Sequence, residues 1–277
     1  MMINRLFIFL SVMLLLSCEE KDDVGQLEII NQPIRFDISI GDDVSQTRSD
    51  IVLPTTKKVY ISTDEGETYY EYGYEGGMWK AFRKYNGTSW ETSSGITWTS
   101  ANMLIYAIAR TDDTPMVKES PISILADQST QANLNSSDFY GIVTPITYTN
   151  GSVELKLKHQ VGRLKVSVSN CTAPNGMTCS IVQAQNTTGV ITTGDDKITV
   201  TSQATPLAIT MFREVTSSTT VNFYAHLFEK MAFGGPSKAE CLVITDNGIS
   251  YSVPVMTTGG ISIDPGYTTL MNVTLKK

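Results

Sequence analysis

The side chains of this chain that could do acid–base work or hold a metal are few and scattered. Its two histidines are His159, at the end of the alternating set Val153, Leu155, Leu157, and His226, between Ala225 and Leu227. A histidine on an apolar face, with no Cys, Asp, Glu or His at ligand spacing, reads as structural rather than as a ligand or base. The carboxylate pairs Asp64-Glu65 and Asp195-Asp196 lie beside turn residues and lack the spacing of a calcium loop. The sequence has no nucleophile elbow, no zinc-protease pair, no Walker loop and no CxxC pair. No cofactor, metal or enzyme activity is therefore expected.

Cysteine carries a clearer message. An N-terminal arginine, Arg5, precedes an apolar block from Leu6 to Leu16, and the block stops at Ser17-Cys18. That block is too short for a transmembrane helix, which needs about 20 residues, and reads as a secretory leader. Leu15-Leu16-Ser17-Cys18 resembles a bacterial lipobox, although a small residue is commoner where Leu16 stands. On that reading residues 1–17 are removed and Cys18 becomes a diacylated mature N-terminus. The alternative is a plain leader cut near Ser17, which would leave an exposed free thiol. Two acyl chains on one residue meet the requirement that stable anchoring takes more than one. Lys21-Asp22-Asp23, behind the cysteine, resembles the surface-export signal of Bacteroidia lipoproteins. A solvated charged linker is the rival reading. The expected location is the outer face of the outer membrane.

Of the other cysteines, Cys171 and Cys179 flank a turn-rich connection, where a local disulfide and an unbridged pair are both open. Cys241, in the apolar run Cys241-Leu242-Val243-Ile244, reads as a small core residue. The formal net charge of −7 over 277 residues argues against nucleic acid or an anionic membrane as partner of the body.

The elements behind these residues are strands. Ile34, Phe36, Ile38 and Ile40 alternate with polar neighbours, giving one oily face. Asn86-Gly87 and Asp246-Asn247-Gly248 are hairpin turn signals. An aromatic tract runs from Tyr69 through Tyr72, Trp79 and Trp90 to Trp98. It reads first as core filling and second as a ligand platform built on Trp79 and Trp90. The longest strand signal is Val153 to Val168, whose apolar phase shifts at Val161-Gly162. A shift at a glycine suggests a bend between two packing environments. Short strands recur at regular spacing, and no helix longer than about two turns is expected. The fold class is all-β, in sandwiches, with a lipidated arm over residues 18–48, one domain over 49–150 and a second over 151–277.

The order of these motifs is similar to that of the fimbrillin family, the major-subunit-like pilins of Bacteroidia type V pili. The features in question are Cys18, the strand Ile34–Ile40 followed by Thr47-Arg48, Tyr85-Asn86-Gly87-Thr88-Ser89-Trp90, and Ile105-Tyr106-Ala107. They continue with Leu155 to Val166 and with Ile261-Ser262-Ile263-Asp264-Pro265-Gly266-Tyr267, which leads into Val273-Thr274-Leu275. The resemblance implies two tandem transthyretin-like sandwiches and a subunit that serves cell adhesion. It implies a cut by an arginine-specific or trypsin-like protease between Arg48 and Ser49, which removes the strand carrying Ile34, Phe36, Ile38 and Ile40. It also implies polymerisation with other pilin subunits by donor-strand exchange, the donor carrying Met271, Val273 and Leu275. The rival reading is an anchored lipoprotein that binds a host protein or glycan through Trp79 and Trp90 and is never cut.

Overall fold

In the computed structural model the described residues are 29–41, 57–110, 115–228, 240–254 and 261–276. Chain order begins with β1 (Arg35–Ile40), β2 (Lys58–Ser62), β3 (Tyr69–Glu75), β4 (Met78–Tyr85), β5 (Trp90–Thr92), β6 (Asn102–Arg110) and β7 (Glu119–Ser123). A short helix α1 (Gln131–Ser136) separates these from β8 (Tyr140–Thr147), β9 (Ser152–His159) and β10 (Gly162–Ser169). There follow β11 (Thr178–Gly194), β12 (Lys197–Thr210), β13 (Phe212–Val215) and β14 (Thr220–Leu227). The last strands are β15 (Glu240–Asp246), β16 (Ile249–Pro254) and β17 (Thr268–Thr274). The chain is nearly all β, as its alternation predicts.

One hydrogen-bonded path, β1-β9-β8-β6-β2-β3-β4-β5, builds the first sandwich by folding back on itself. The fold-back is possible because β8 and β9 pair only at Tyr140–His159 and Gly141–Lys158. Past that point β9 follows β1 while β8 follows β6. The two layers share a core in which Phe36 meets Tyr72 edge-on at 5.2 Å, over Val59, Ile61, Trp98 and Ile105. The outward residues of β1 and β9, among them Arg35, Asp37, Glu154 and Lys156, are exposed.

The second sandwich places β13-β14-β10-β17 against β12-β11-β15-β16. Leu164, Val166, Phe223, Ile181 and Leu242 meet between these sheets. The segment before α1 joins this core through Met116, Ile122 and Ile124, and β7 adds to β11. Val153, Leu155 and Leu157 of β9 lie in the first core, whereas Leu164, Val166 and Val168 of β10 lie in the second. The crossing between the cores therefore falls at Gln160–Gly162, at the phase change and inside the stretch assigned to the second domain. Residues 115–124, expected in the first unit, pack with the second. A Cβ on Gly162 would come within 2.5 Å of Ile263 Cγ2 and 2.9 Å of two backbone carbonyls. The phase change at this glycine marks a close crossing of chains.

One expectation at the element level needs correction. Where the sequence pattern reads as short separate strands, the chain forms one long ribbon, β11–β12. Its polar, Thr-rich middle hides the pairing. The ribbon tip clips onto the first sandwich, where Thr193 Oγ1 donates to Glu65 O (2.9 Å) and lies 2.8 Å from Tyr69 Oη. Cys171, Cys179 and Cys241 are buried and none of them forms a disulfide; of the two alternatives for Cys171 and Cys179, the structure has the unbridged pair. Cys171 Sγ turns instead to Val168 O at 3.4 Å.

Candidate functional site

β1 is a structural roof made from the start of the described chain. It runs parallel to β9, with Phe36 beside Val153 and Ile38 beside Leu155. Ile34, Phe36 and Ile38 are 6 %, 5 % and 6 % exposed, and Ile40 is half-buried. Just before β1, Asn31 N–H donates to Trp98 O, Trp98 N–H to Gln32 O, and Ile34 N–H to Ile96 O, each at 2.9 Å. After it, Gly41 N–H donates to Leu157 O at 2.9 Å.

Burying one such side chain contributes about 1.5–3 kcal/mol, so the three together hold on the order of 5–9 kcal/mol. That is comparable with the whole net stability of an ordinary domain, about 5–15 kcal/mol. Loss of β1 would therefore remove a substantial part of the first core. Arg48 and Ser49, a few residues downstream of Gly41, and the lipidation candidate Cys18 lie outside the described residues.

β17 repeats this relation in the second unit. It lies parallel to β10, with Met271 beside Val166 and Val273 beside Val168. Met271 and Val273 pack against the second core, and Leu275 is buried in it. Asn170 Nδ2 donates to Leu275 O (3.0 Å) and Leu275 N–H to Ser169 O (3.2 Å). Thus β9 and β10, consecutive in the chain, each receive a parallel strand from near one end of it. Both added strands present three apolar residues at alternate positions.

The aromatic tract divides between the two faces of its sheet. Trp79 packs against the first core and meets Tyr74 edge-on at 5.6 Å. Trp90 faces the other way, towards Tyr60 (6.0 Å) and Tyr85 (5.5 Å), with the Arg83 guanidinium 4.7 Å above its ring. Arg83 also forks onto Glu71 at 2.7 and 2.9 Å, and Lys58 completes the cluster at 3.1 Å. Both tryptophans are half-buried packing residues on opposite faces. The structure does not bring them together into one platform.

One constellation escaped sequence reading. Asp138, buried after α1, lies 2.8 Å from His159 Nδ1 and 3.6 Å from His226 Nε2. His226 is also held through its backbone, its N–H donating to Gln128 Oε1 (2.8 Å) and its carbonyl accepting from Gln128 Nε2 (3.0 Å). The histidines are 67 positions apart (226 minus 159) and share no motif; only the fold joins them. Among the described residues no group of three or more His, Cys, Asp and Glu side chains is arranged to hold a metal ion. Among them, too, no helix is long and apolar enough to cross a membrane.

Comparison with known proteins adds the following. A family model described as fimbrillin-like matches residues 58–277. No curated protein matches the sequence. Among solved structures, a candidate cell adhesion protein of Bacteroides ovatus aligns at 13 % identity with a TM-score of 0.62, over 88 % of this chain and 92 % of the other. A second, from Bacteroides uniformis, aligns at 14 % identity with a TM-score of 0.51, over 88 % and 94 %. At such low identity the likeness is one of fold.

Proposed function

The chain belongs to the fimbrillin-like family, and from that premise we propose that it is a pilus subunit, of the shaft or an accessory tip, that polymerises when β1 is replaced. In this account it is exported as a lipoprotein held to the outer membrane through Cys18. A protease specific for arginine, or trypsin-like, cuts between Arg48 and Ser49, and β1 leaves with the arm. The vacated trough beside β9 then accepts the last strand of another subunit, carrying Met271, Val273 and Leu275.

The observation that carries this reading is the position of β1. It supplies a substantial part of the first core, yet it joins the body through one parallel ladder and a few bonds at its entry and exit. Its loss would leave an apolar trough with unpaired ladder groups, an edge that recruits another strand. β17 suits the vacancy because it already makes the same kind of parallel ladder, with the same alternation, on its own β10. Serving a neighbour requires it to leave β10, so exchange is tied to opening of that edge. The test is Arg48→Ala in cells: the expected result is a membrane-held monomer that forms no polymer. Polymer formed at the wild-type level by this variant would sink the proposal.

A further inference from the structure

Asn86, Asn150, Asn175 and Asn247 are each followed directly by glycine. In such a pair the glycine nitrogen can close on the asparagine side-chain carbonyl, because no Cβ stands beside it. All four asparagines are exposed, so access to water does not separate them. Their hydrogen bonds do.

Asn86 opens the turn between β4 and β5. Its Oδ1 accepts the backbone N–H groups of Thr88 and Ser89, each at 3.0 Å. An acceptor that reaches the second and third residues ahead folds the side chain back over the peptide nitrogen between them. That nitrogen belongs to Gly87, at φ +89°, and its N–H makes no hydrogen bond among the described residues. Asn86 Nδ2 donates to Glu91 Oε1, and the Gly87 carbonyl accepts from Tyr85 Oη at 3.0 Å, so both residues are held. The other pairs differ. Gly151 N–H donates to Thr149 Oγ1 (3.1 Å) and Gly176 N–H to Ala173 O (2.9 Å), which engages both nitrogens. Asn247 and Gly248 complete a tight hairpin, at φ 51° and 78°, and among the described residues no hydrogen bond holds the Asn247 side chain. Of the four, Asn86 alone combines a carbonyl gripped by two donors with an unengaged glycine nitrogen.

We propose that Asn86 is a self-modification site, at which the chain converts its own side-chain amide to a carboxylate through a cyclic imide. The Gly87 nitrogen gives its proton to a base in solvent and bonds to Asn86 Cγ. Negative charge then develops on Oδ1, where two N–H groups already point, as in an oxyanion hole. Collapse of that centre breaks the Cγ–Nδ2 bond, and the nitrogen takes a proton from solvent and leaves as ammonia. Water then opens the ring. Attack at Cγ gives aspartate; attack at the backbone carbonyl carbon gives isoaspartate, with the main chain running through the former side chain. The sum is one water consumed and one ammonia released, with no oxidation or reduction. The product sets a carboxylate where Nδ2 had donated to Glu91, so the turn loses a tie and gains a like-charge repulsion. That change falls at β5, the last strand of the first sheet's path.

The test keeps the purified full chain at pH 8, folded and in urea, and follows the four sites by peptide mass, with isoaspartate counted by enzymatic methylation. In the folded chain Asn86 should convert at least about tenfold faster than Asn150, Asn175 and Asn247, and no more slowly than it does in urea. In urea the four share a glycine neighbour and have lost their turns, so their rates should fall within about threefold of one another. Gly87→Ala, whose added methyl meets nothing nearer than Glu67 O at 4.0 Å, should slow Asn86 about tenfold by crowding the attacking nitrogen. The folded-against-urea comparison reads the same claim in the unchanged chain, without any effect of a substitution on the turn. Slower conversion of Asn86 folded than in urea, or an equal folded rate at any of the other three sites, would overturn the proposal. So would an unchanged rate in Gly87→Ala, or product free of isoaspartate.

Discussion

The Asp246 carboxylate accepts the backbone N–H groups of Thr172 (2.6 Å) and Ala173 (2.8 Å) while only 2 % exposed. Asp246→Ala strands those donors and should cost about 1–3 kcal/mol, read as a lowered urea midpoint. The hairpin turn Asp246-Asn247-Gly248 is legible in sequence from its residue types, but this second use of the carboxylate is not, because its partner lies 74 residues away. The thiols give a second prediction. Burial pushes the Cys179 thiol up to about 12, and Cys171 and Cys241 are likewise shut away from solvent; at pH 8 a thiol reagent should leave all three unmodified until the chain is unfolded, as mapped by mass spectrometry. Tyrosine supplies the third. Burial pushes Tyr69 and Tyr224 from 10.0 up to about 12, against the bond from Thr193 in Tyr69 and reinforced by Glu214 in Tyr224. Between those values the folded chain keeps protons that the unfolded chain has released. Stability should therefore fall as pH rises from about 10 to about 12, measurable as urea midpoints at pH 9 and pH 11.

At the scale of elements, β1 and the β9–β10 crossing bear most of the account. A chain beginning at Ser49 should lose much of the first core and either associate or unfold at lower urea than the precursor. Adding a peptide of residues 33–41 should restore the precursor's midpoint. The crossing has its own test, since Gly162→Val must push against Ile263 and two carbonyls. It should cost about 1–3 kcal/mol, seen as a lower melting temperature. Both features are legible in sequence: β1 through its strict alternation, the crossing through a phase change at a glycine. The β11–β12 ribbon is not, because its Thr- and Gln-rich stretch carries little apolar contrast between its faces. Register there is set by backbone pairing and by the tip contact with Glu65 and Tyr69, which no local pattern announces.

At the scale of the molecule, two β-sandwich cores are joined at the β9–β10 crossing, by residues 115–124 and by the tip of the β11–β12 ribbon. The sandwich class follows from short alternating strands separated by turn residues. The partition of the chain between the cores does not, because residues 115–124 cross from the first half of the sequence into the second core. The Asp138–His159–His226 cluster is hidden for the same reason, being assembled from three separate segments. The proposed exchange rests on a first core covered by β1 and on a last strand, β17, that makes the same kind of parallel ladder on β10. The most direct measurement is N-terminal sequencing of polymer sheared from the cell surface. The account predicts a single N-terminus at Ser49, with residues 34–40 missing from the assembled subunit. Polymer whose subunits still begin at Cys18 and retain Ile34 to Ile40 would contradict it.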